Sequence, residues 1–203
     1  MKHSNISLNS FSRYLSRVWA QGKLNHIEGF LPEKSTILDI GSGKGAVSFA
    51  LREKRYHVTS LDVKDKSLDP SLAPTLYDGI QIPFPDKHFD CGLLLTVLHH
   101  TPDPEAILKE TSRVCRKIII IEDVYSNCLQ KYLTFFIDSL FNMEFFGHPH
   151  SNKTDAQWRS TFKHIGLSLE EARGRKLLLF FRQYAYILNI RGFENEAPGN
   201  STN

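Results

Sequence analysis

The sequence predicts an α/β fold, a layered domain with a mostly parallel β-sheet. Short apolar runs alternate with segments that have helical spacing. "STILDI", "HVTSLDV" and "RKIIIIEDV" are typical of buried strands, whereas "GAVSFALREK" and "DPEAILKETSRVC" are typical of helices. Strands that alternate with helices form parallel βαβ units. A chain of 203 residues suffices for one domain with a sizeable core.

Other segments extend this pattern on both sides. "APTLYDG" and "FDCGLLLTVLHH" predict the third and fourth strands, and "GLSLEEA" and "FFRQYAYILNI" predict the last two. Ahead of the first strand, "FSRYLSRVWAQGKLNHIEGFL" predicts an amphipathic helix that ends before Gly29 and Pro32. The apolar residues at helical spacing in this segment, which could form a cap or part of the core, are Phe11, Tyr14, Leu15, Val18 and Trp19.

Composition limits the kinds of partner. The net charge of +3 comes without long runs of Lys and Arg, so we expect no nucleic acid partner. Three cysteines, Cys91, Cys115 and Cys128, form no CxxC pair and suit a reducing compartment. The N-terminus lacks a continuous apolar core, and no apolar run reaches the ~18 to 20 residues of a membrane span. We therefore expect a cytoplasmic location and no transmembrane segment.

A turn in "TILDIGSGKGAVSFAL" carries three glycines at alternate positions directly after a predicted strand. Gly41, Gly43 and Ala46 satisfy the GxGxxG/A dinucleotide pattern, and Asp62 follows at the spacing of a ribose-binding acid. A phosphate-binding P-loop is excluded because its GxxxxGK[ST] pattern is missing. Taken alone, this turn leaves NAD binding open.

The acid before the glycines favours a different ligand. Asp39 places negative charge where a pyrophosphate would lie, whereas a ligand ammonium would be attracted to it. The turn and the following helix N-terminus could then hold a carboxylate through backbone N–H groups. S-adenosylmethionine (SAM) has an ammonium, a carboxylate, a ribose and a positive sulfur, and it fits this combination.

Acids also follow the other predicted strands. Asp39, Asp62, Asp78, Glu122 and Asp123 all lie at or near strand carboxyl ends. Ligands bind at this edge of open parallel sheets. A helix cap or a solvated loop residue is the alternative for any single acid, but acids at four strand ends favour a common site.

These motifs together resemble the class I SAM-dependent methyltransferases. "ILDIGSGKG", "LDV" and "YDGIQIPFPDKHFDCGLLLTVLHHTPDPEAILKETSRVCRKIIIIED" are similar to that family in order and spacing from about Ser35 to Asp123. Within that family, the motifs most resemble those of the small-molecule group that includes the ubiquinone and menaquinone methyltransferases. The resemblance implies a Rossmann-like three-layer sandwich with seven strands, the last one antiparallel. It also implies SAM as the cofactor and S-adenosylhomocysteine as the product.

The resemblance implies roles for residues by their matching positions. Asp39 would contact the methionyl end of SAM, and Asp62 would accept hydrogen bonds from both ribose hydroxyls. The glycine turn would let the backbone approach the ligand. The complete cofactor-binding set implied in this way is Asp39, Gly41, Ser42, Gly43, Asp62, Asp78, Gly79, Leu95 and Thr96.

Two of these positions concern adenine and two concern the ammonium. Asp78 would accept from the adenine amine, with the Gly79 N–H on a ring nitrogen, although an Asx-turn before Gly79 is the structural alternative. Leu95 or Thr96 would offer a backbone carbonyl to the ligand ammonium.

Histidines are the candidate catalytic groups. Alignment and exclusion of water can supply much of a methyl transfer, and a base is needed only if the acceptor must lose a proton. His99 and His100 follow the fourth strand, and His148 lies further on; an imidazole could be such a base at neutral pH. Packing and capping are the alternative role of the His99–His100 pair.

The segment after Asp123 is where we expect the acceptor to be recognised. Its phenylalanines could be core, a pocket or lid for an apolar acceptor, or a contact with a membrane surface. His148 and His150 flank a proline, but no third ligand has recognisable spacing, so we predict no metal site. The phenylalanines are Phe135, Phe136, Phe141, Phe145 and Phe146.

The predicted function is therefore methyl transfer from SAM to a small-molecule or lipid-like acceptor. The expected organisation is one domain over 1–193, with a helical cap over 1–34, a variable substrate-side region over 125–165 and a disordered tail over 194–203. Alternatives are an RNA or protein methyltransferase, a non-catalytic SAM-binding regulatory module, and an NAD oxidoreductase. Arg173, Arg175 and Lys176 are expected in a solvated turn between the last two strands, and binding of an acidic substrate group is the alternative.

Overall fold

A computed structural model describes residues 3–125, 153–177 and 181–190, with the side chains of 3–11, 177 and 181 outside the description. The α-helices are α1 (His3–His26), α2 (Ala46–Glu53), α3 (Pro104–Val114) and α4 (Asp155–His164). The strands are β1 (Thr36–Ile40), β2 (His57–Asp62), β3 (Thr75–Leu76), β4 (Phe89–Leu95), β5 (Cys115–Val124), β6 (Leu167–Leu177) and β7 (Phe181–Ile190). Two short 3₁₀ helices span Pro70–Leu72 and Leu98–His100.

All seven strands form one sheet in the order β3-β2-β1-β4-β5-β7-β6. Strands β1 to β5 pair in parallel, and β7 lies antiparallel between β5 and β6. The strand order reverses between β1 and β4, which is the point where open α/β sheets bind ligands. The predicted α/β fold with its antiparallel last strand is confirmed.

Local sequence explains where the helices begin. Asp103 caps α3 by accepting from the Ala106 N–H (3.0 Å), and Pro104 stands at the first helical position, where no N–H is needed. Thr154 and Gln157 form a capping box at the start of α4.

Apolar side chains pack on both faces of the sheet. One cluster joins the sheet to α3 and α4 and includes Trp158, Phe162 and Tyr186. The other joins it to α1 and α2 through Leu24, Ile27 and Leu51, among others. Strands β4 and β5 are apolar along most of their length because both faces are covered.

The final strands differ from the sequence prediction. Arg173, Arg175 and Lys176 do not form a solvated turn, because β6 continues through Leu177 and pairs with β7 as far as Leu177↔Phe181. The Arg175 guanidinium turns inward and donates to the Gly22 carbonyl of α1 (2.6 Å). It therefore ties the first helix to the last strands.

The predicted N-terminal helix is present, but its two apolar faces have different surroundings. Ala20, Leu24 and Ile27 are buried against the sheet. The side chains Tyr14, Leu15, Val18 and Trp19 are exposed instead of joining the core. Within the described ranges, no helix combines the length and apolar character needed to cross a lipid bilayer.

Two glycines test the packing of the sheet. A Cβ at Gly92 in β4 would come within 2.8 Å of Cys115 Sγ and Thr111 Cγ2, whereas a Cβ at Gly22 in α1 would meet no atom within 4 Å. We expect Gly92→Ala to lower the free energy of unfolding by about 1–3 kcal/mol through overpacking. Gly22→Ala should raise it by about 0.5–1 kcal/mol because alanine favours the helix. Urea unfolding measures both, and equal effects would contradict the packing described.

Candidate active site

The glycine turn follows β1 and is hydrogen-bonded to the end of β2. The N–H groups of Gly41 and Ser42 donate to the Leu61 carbonyl (2.8 and 3.2 Å). Gly41 has φ +69°, and a Cβ there would lie 2.7 Å from Val97 Cγ2, so only glycine fits. Gly43 has φ +53°, and the nearest atom to its added Cβ is 4.0 Å away. The backbone at Gly43 is therefore open to a ligand.

Asp39 ends β1 inside the protein. Its Oδ2 accepts from Ser48 Oγ (2.6 Å), which in turn accepts from Ser60 Oγ (2.8 Å). Burial raises the pKa of this carboxyl to about 6, although the Ser48 hydrogen bond and the Lys23 charge oppose the rise. A cation that approached Asp39 would favour the ionised form.

Asp62 ends β2 beside the same turn. Its Oδ2 accepts from the Gly43 N–H (2.8 Å) and its Oδ1 from the Lys64 N–H (3.2 Å). A carboxylate has about four acceptor positions, so two remain for hydroxyl donors. The Gly43 contact fixes the carboxylate against the glycine turn.

Asp78 follows β3 and is exposed. Its Oδ1 accepts from the N–H groups of Ile80 and Gln81 (2.8 and 2.9 Å), and these bonds lower the pKa of the carboxyl. This is the Asx-turn that the sequence left as the structural alternative, with Gly79 at φ +80°. The turn orients Asp78 and is compatible with an adenine contact, which stays a prediction.

The carboxyl end of β4 already holds an ammonium group. Lys23 of α1 donates from Nζ to the Leu95 carbonyl (2.9 Å) and to Thr96 Oγ1 (2.7 Å). Thr96 has φ +63°, a costly conformation for a β-branched residue and one that clusters at functional sites. The carbonyl predicted to accept from the ligand ammonium is therefore occupied by the Lys23 ammonium, and its role toward SAM stays a prediction.

Lys23 is a site residue that sequence reasoning missed. Burial lowers the pKa of its ammonium, while the charges of Asp123, Asp39 and Glu122 oppose that shift. These carboxylates come from the ends of β1 and β5, so α1 supplies the positive charge that the strand edge needs. A lone lysine in an amphipathic helix gives no sequence signal of such a role.

Glu122 organises the turn after β4. The carboxylate is fully buried and accepts at Oε1 from the N–H groups of Val97 and Leu98 (3.0 and 2.7 Å). His99 Nδ1 lies 2.6 Å from Glu122 Oε2. Because an ionised carboxylate can only accept, we assign the Nδ1 proton to His99.

Two of the three candidate histidines lie side by side after β4. His99 is 4% exposed, and its ring centroid lies 4.0 Å from that of His100. His148 and the Phe-rich stretch 135–146 lie outside the described residues, as does the tail 194–203. Among the residues described, no group of three or more His, Cys, Asp or Glu side chains could hold a metal ion.

A second polar chain borders the site from the last strands. Gln183 donates from Nε2 to Asp123 Oδ1 (2.8 Å), and its Oε1 accepts from Arg175 Nε (3.1 Å). Burial raises the pKa of the Asp123 carboxyl. Gln183 was also missed and Arg175 was expected in a solvated turn, because only the pairing of β5 with β7 brings them to Asp123.

The comparisons with known proteins point to one family. Residues 38–118 match a family described as "Methyltransferase domain". The chain is 31% identical to the ubiquinone biosynthesis O-methyltransferase of Idiomarina loihiensis over 103 residues, 45% of this chain and 42% of that protein. It is 30% identical to the phosphatidylethanolamine N-methyltransferase of Cereibacter sphaeroides over 93 residues, 40% of this chain and 45% of that protein. The matches thus span less than half the length of these relatives.

A solved structure agrees on the fold. The SAM-dependent methyltransferase from Methanosarcina mazei superposes with a TM-score of 0.65 and 20% identity, over 81% of this chain and 96% of that chain. Residues 38–118 therefore match a methyltransferase domain, and the chain has the fold of the SAM-dependent methyltransferases. The recognition made from the motifs is confirmed, and SAM is the cofactor that the family and fold of this methyltransferase domain imply.

The described residues of the methyltransferase domain fit that cofactor. Ser42 Oγ is buried in the glycine turn without a hydrogen-bond partner, next to the open backbone of Gly43. Asp39 suits an ammonium, Lys23 suits a carboxylate, and Asp62 suits a pair of hydroxyls. A SAM molecule would find a partner here for each polar part of its amino acid and ribose.

The raised pKa of Asp39 predicts that SAM affinity depends on pH. Below about pH 6 the carboxyl is largely protonated, so affinity should rise from pH 5 to 7, with proton release near pH 6. Calorimetry in two buffers of different ionisation enthalpy measures both the affinity and the proton release. In Asp39→Asn, the affinity for SAM should no longer depend on pH over this range. Asp90→Asn is the control, because the Thr36 N–H lowers the pKa of Asp90 and keeps it ionised throughout.

The Asp62 contacts predict a large contribution to SAM binding. Two hydrogen bonds from ribose hydroxyls to a carboxylate are worth about 1.5–3 kcal/mol each. Asp62→Ala should therefore weaken SAM binding about 100-fold or more in calorimetric titration. Asp65→Ala is the matched control because Asp65 bonds only within its own turn, to the Ser67 N–H, and is fully exposed. Equal affinities for the two variants would refute the ribose assignment.

Proposed function

We propose that the chain transfers the methyl group of SAM to a small-molecule or lipid-like acceptor. The observation that carries the proposal is the shared strand edge, where the Asp39 and Leu95 groups for the cofactor adjoin the His99–Glu122 pair. Names of relatives support the acceptor class, since one is a ubiquinone O-methyltransferase and another a phosphatidylethanolamine N-methyltransferase. The cytoplasmic location stays a prediction.

We propose that the residues at the cofactor end of the site hold SAM and align its methyl group. Asp39 orients the amino group, Lys23 neutralises the carboxylate, and Asp62 holds the ribose. SAM supplies an electrophilic methyl group on a positive sulfur. Alignment of that group with the acceptor, together with exclusion of water by α1, lowers the barrier without a metal.

The acceptor end is proposed to remove a proton. With Nδ1–H donated to Glu122, His99 takes up a proton at Nε2, and the buried carboxylate stabilises the resulting imidazolium. Such a base suits an acceptor hydroxyl, phenol or ammonium group. His100 and His148 stay predicted alternatives for the same role.

The contacts of α1 also support residues 1–34 as a cap. Lys23 reaches the end of β4, and Gly22 is bonded by Arg175, so the second half of α1 is held over the cofactor side of the sheet. We propose, as before, one domain over 1–193 with a substrate-side region over 125–165.

The proposal is tested by transfer of label from methyl-labelled SAM to a bacterial lipid extract and to a panel of phenols, catechols and primary amines. We expect one class to become labelled. If no acceptor class is labelled although SAM still binds tightly, the result would contradict the proposed methyltransferase activity and favour a regulatory SAM-binding module.

Once an acceptor class is labelled, His99 can be tested as the base. We expect His99→Ala to lower kcat about 10²–10⁴-fold while the Kd for SAM changes little. Glu122→Gln should lower kcat and also shift the acid limb of the kcat pH profile, because the imidazolium loses its carboxylate. His100→Ala tests the alternative base, and loss of kcat in that variant with kcat retained in His99→Ala would refute the assignment to His99. Loss of kcat in Glu122→Gln with an unshifted profile would mean that Glu122 only supports the turn.

A further inference from the structure

The carbonyl oxygen of Leu95, at the end of β4, accepts two hydrogen bonds. Lys23 Nζ donates to it over 2.9 Å, and the Thr96 hydroxyl donates to it over 2.6 Å. A carbonyl oxygen has two lone pairs, so both acceptor positions of Leu95 are in use. The ammonium of a ligand can therefore bind this oxygen only if Lys23 or Thr96 withdraws.

Of the two donors, Lys23 is the one whose side chain can move away. Thr96 is fixed by its backbone, which has φ +63° and donates its N–H to the Ile121 carbonyl (2.6 Å). Lys23 reaches Leu95 through a flexible alkyl stem. The helix behind Lys23 stays in place because Arg175 donates to the carbonyl of the preceding residue, Gly22 (2.6 Å). A change of rotamer at Lys23 would thus free the Leu95 carbonyl without moving α1.

The charges around Lys23 determine which ligand can displace it. Its ammonium is attracted by three carboxylates and repelled by the Arg175 guanidinium. A second ammonium, brought by a ligand, would share the same carboxylates and be repelled by Lys23 at short range. An ammonium alone is therefore a poor match for this edge of the sheet. The three carboxylates are Asp123, Asp39 and Glu122.

A carboxylate next to the ligand ammonium changes this balance. The amino acid group of a ligand is zwitterionic, so it adds no net charge to the edge. Its carboxylate also gives Lys23 a new acceptor, and a hydrogen bond between an ammonium and a carboxylate is stronger than one to a neutral carbonyl. Lys23 can then release Leu95, and the ligand ammonium can take the same carbonyl beside Asp39.

We propose that Lys23 makes the cofactor site selective for ligands that carry a carboxylate beside their ammonium, because it releases the Leu95 carbonyl only in exchange for that carboxylate. The inference rests on the proposed function, since the ligand concerned is the methyl donor or its product. It goes further because it assigns to Lys23 the rejection of amines built on the same nucleoside. Such amines contain the adenosine and the ammonium but lack the group that releases Lys23.

Three adenosine ligands without a sulfonium charge test this selectivity in the full chain. S-adenosylhomocysteine carries both the ammonium and the carboxylate, its decarboxylated form carries the ammonium alone, and methylthioadenosine carries neither. In calorimetric titration of the parent chain, we expect S-adenosylhomocysteine to bind about 100-fold more tightly than the decarboxylated form. The decarboxylated form should bind no more tightly than methylthioadenosine, because its ammonium has to compete with Lys23.

The variant Lys23→Met removes the charge and keeps most of the length of the side chain. It should weaken the binding of S-adenosylhomocysteine about tenfold and strengthen that of the decarboxylated form about threefold or more. Methylthioadenosine should bind within about twofold of the parent affinity. Lys54→Met is the matched control, because Lys54 is exposed at the end of α2. Circular dichroism melts show whether each variant has folded.

Two results would overturn the inference. The first needs no variant: the parent chain binds the decarboxylated form within about threefold of S-adenosylhomocysteine. The second is a folded Lys23→Met chain that keeps the parent's ratio of affinities, which would make Lys23 a purely structural link between α1 and β4. If none of the three ligands binds, the inference falls together with the cofactor assignment. If the affinities are as expected but no acceptor is labelled, methyl transfer fails and the selectivity stands.

Discussion

The arrangement of the site depends on a balance of charge at one edge of the sheet. Parallel strands end side by side, so the carboxylates that follow β1 and β5 are brought into one partly buried space. Lys23 of α1 supplies the compensating positive charge, and its Nζ donates to the Leu95 carbonyl and to Thr96 Oγ1. Without that ammonium the edge would hold buried negative charge with little compensation, which is costly. The first helix and the sheet are therefore joined by the same charges that suit a zwitterionic ligand.

Glu122 plays a comparable part on the acceptor side. One buried carboxylate binds two backbone N–H groups and the His99 ring, so the shape of the turn after β4 and the tautomer of His99 are set together. On the cofactor side, the Gly43 N–H and Asp62 hold each other in the same way. In both places a carboxylate at a strand end orients the loop of the neighbouring strand, which gives the site its geometry before a ligand arrives.

Helix α1 connects the sheet to the candidate site. Its inner side packs on the sheet and carries Lys23 to the site, while Tyr14, Leu15, Val18 and Trp19 on its other side are exposed. Arg175 links this helix to the last strands by way of Gly22. Helix α1 is therefore fixed both to the strand edge that forms the candidate site and to the last strands.

The sequence by itself determined the α/β fold, the glycine turn and the acids at strand ends, because strand alternation, turn glycines and caps are local signals. It could not assign Lys23, Arg175 or Gln183, since their roles arise from a helix crossing the sheet and from the pairing of β5 with β7. It also left open whether Tyr14 and Trp19 are core or surface, because helical spacing marks an apolar face without saying which side meets the sheet. Only the tertiary structure decided this, as burial depends on which face of α1 packs against the rest of the chain.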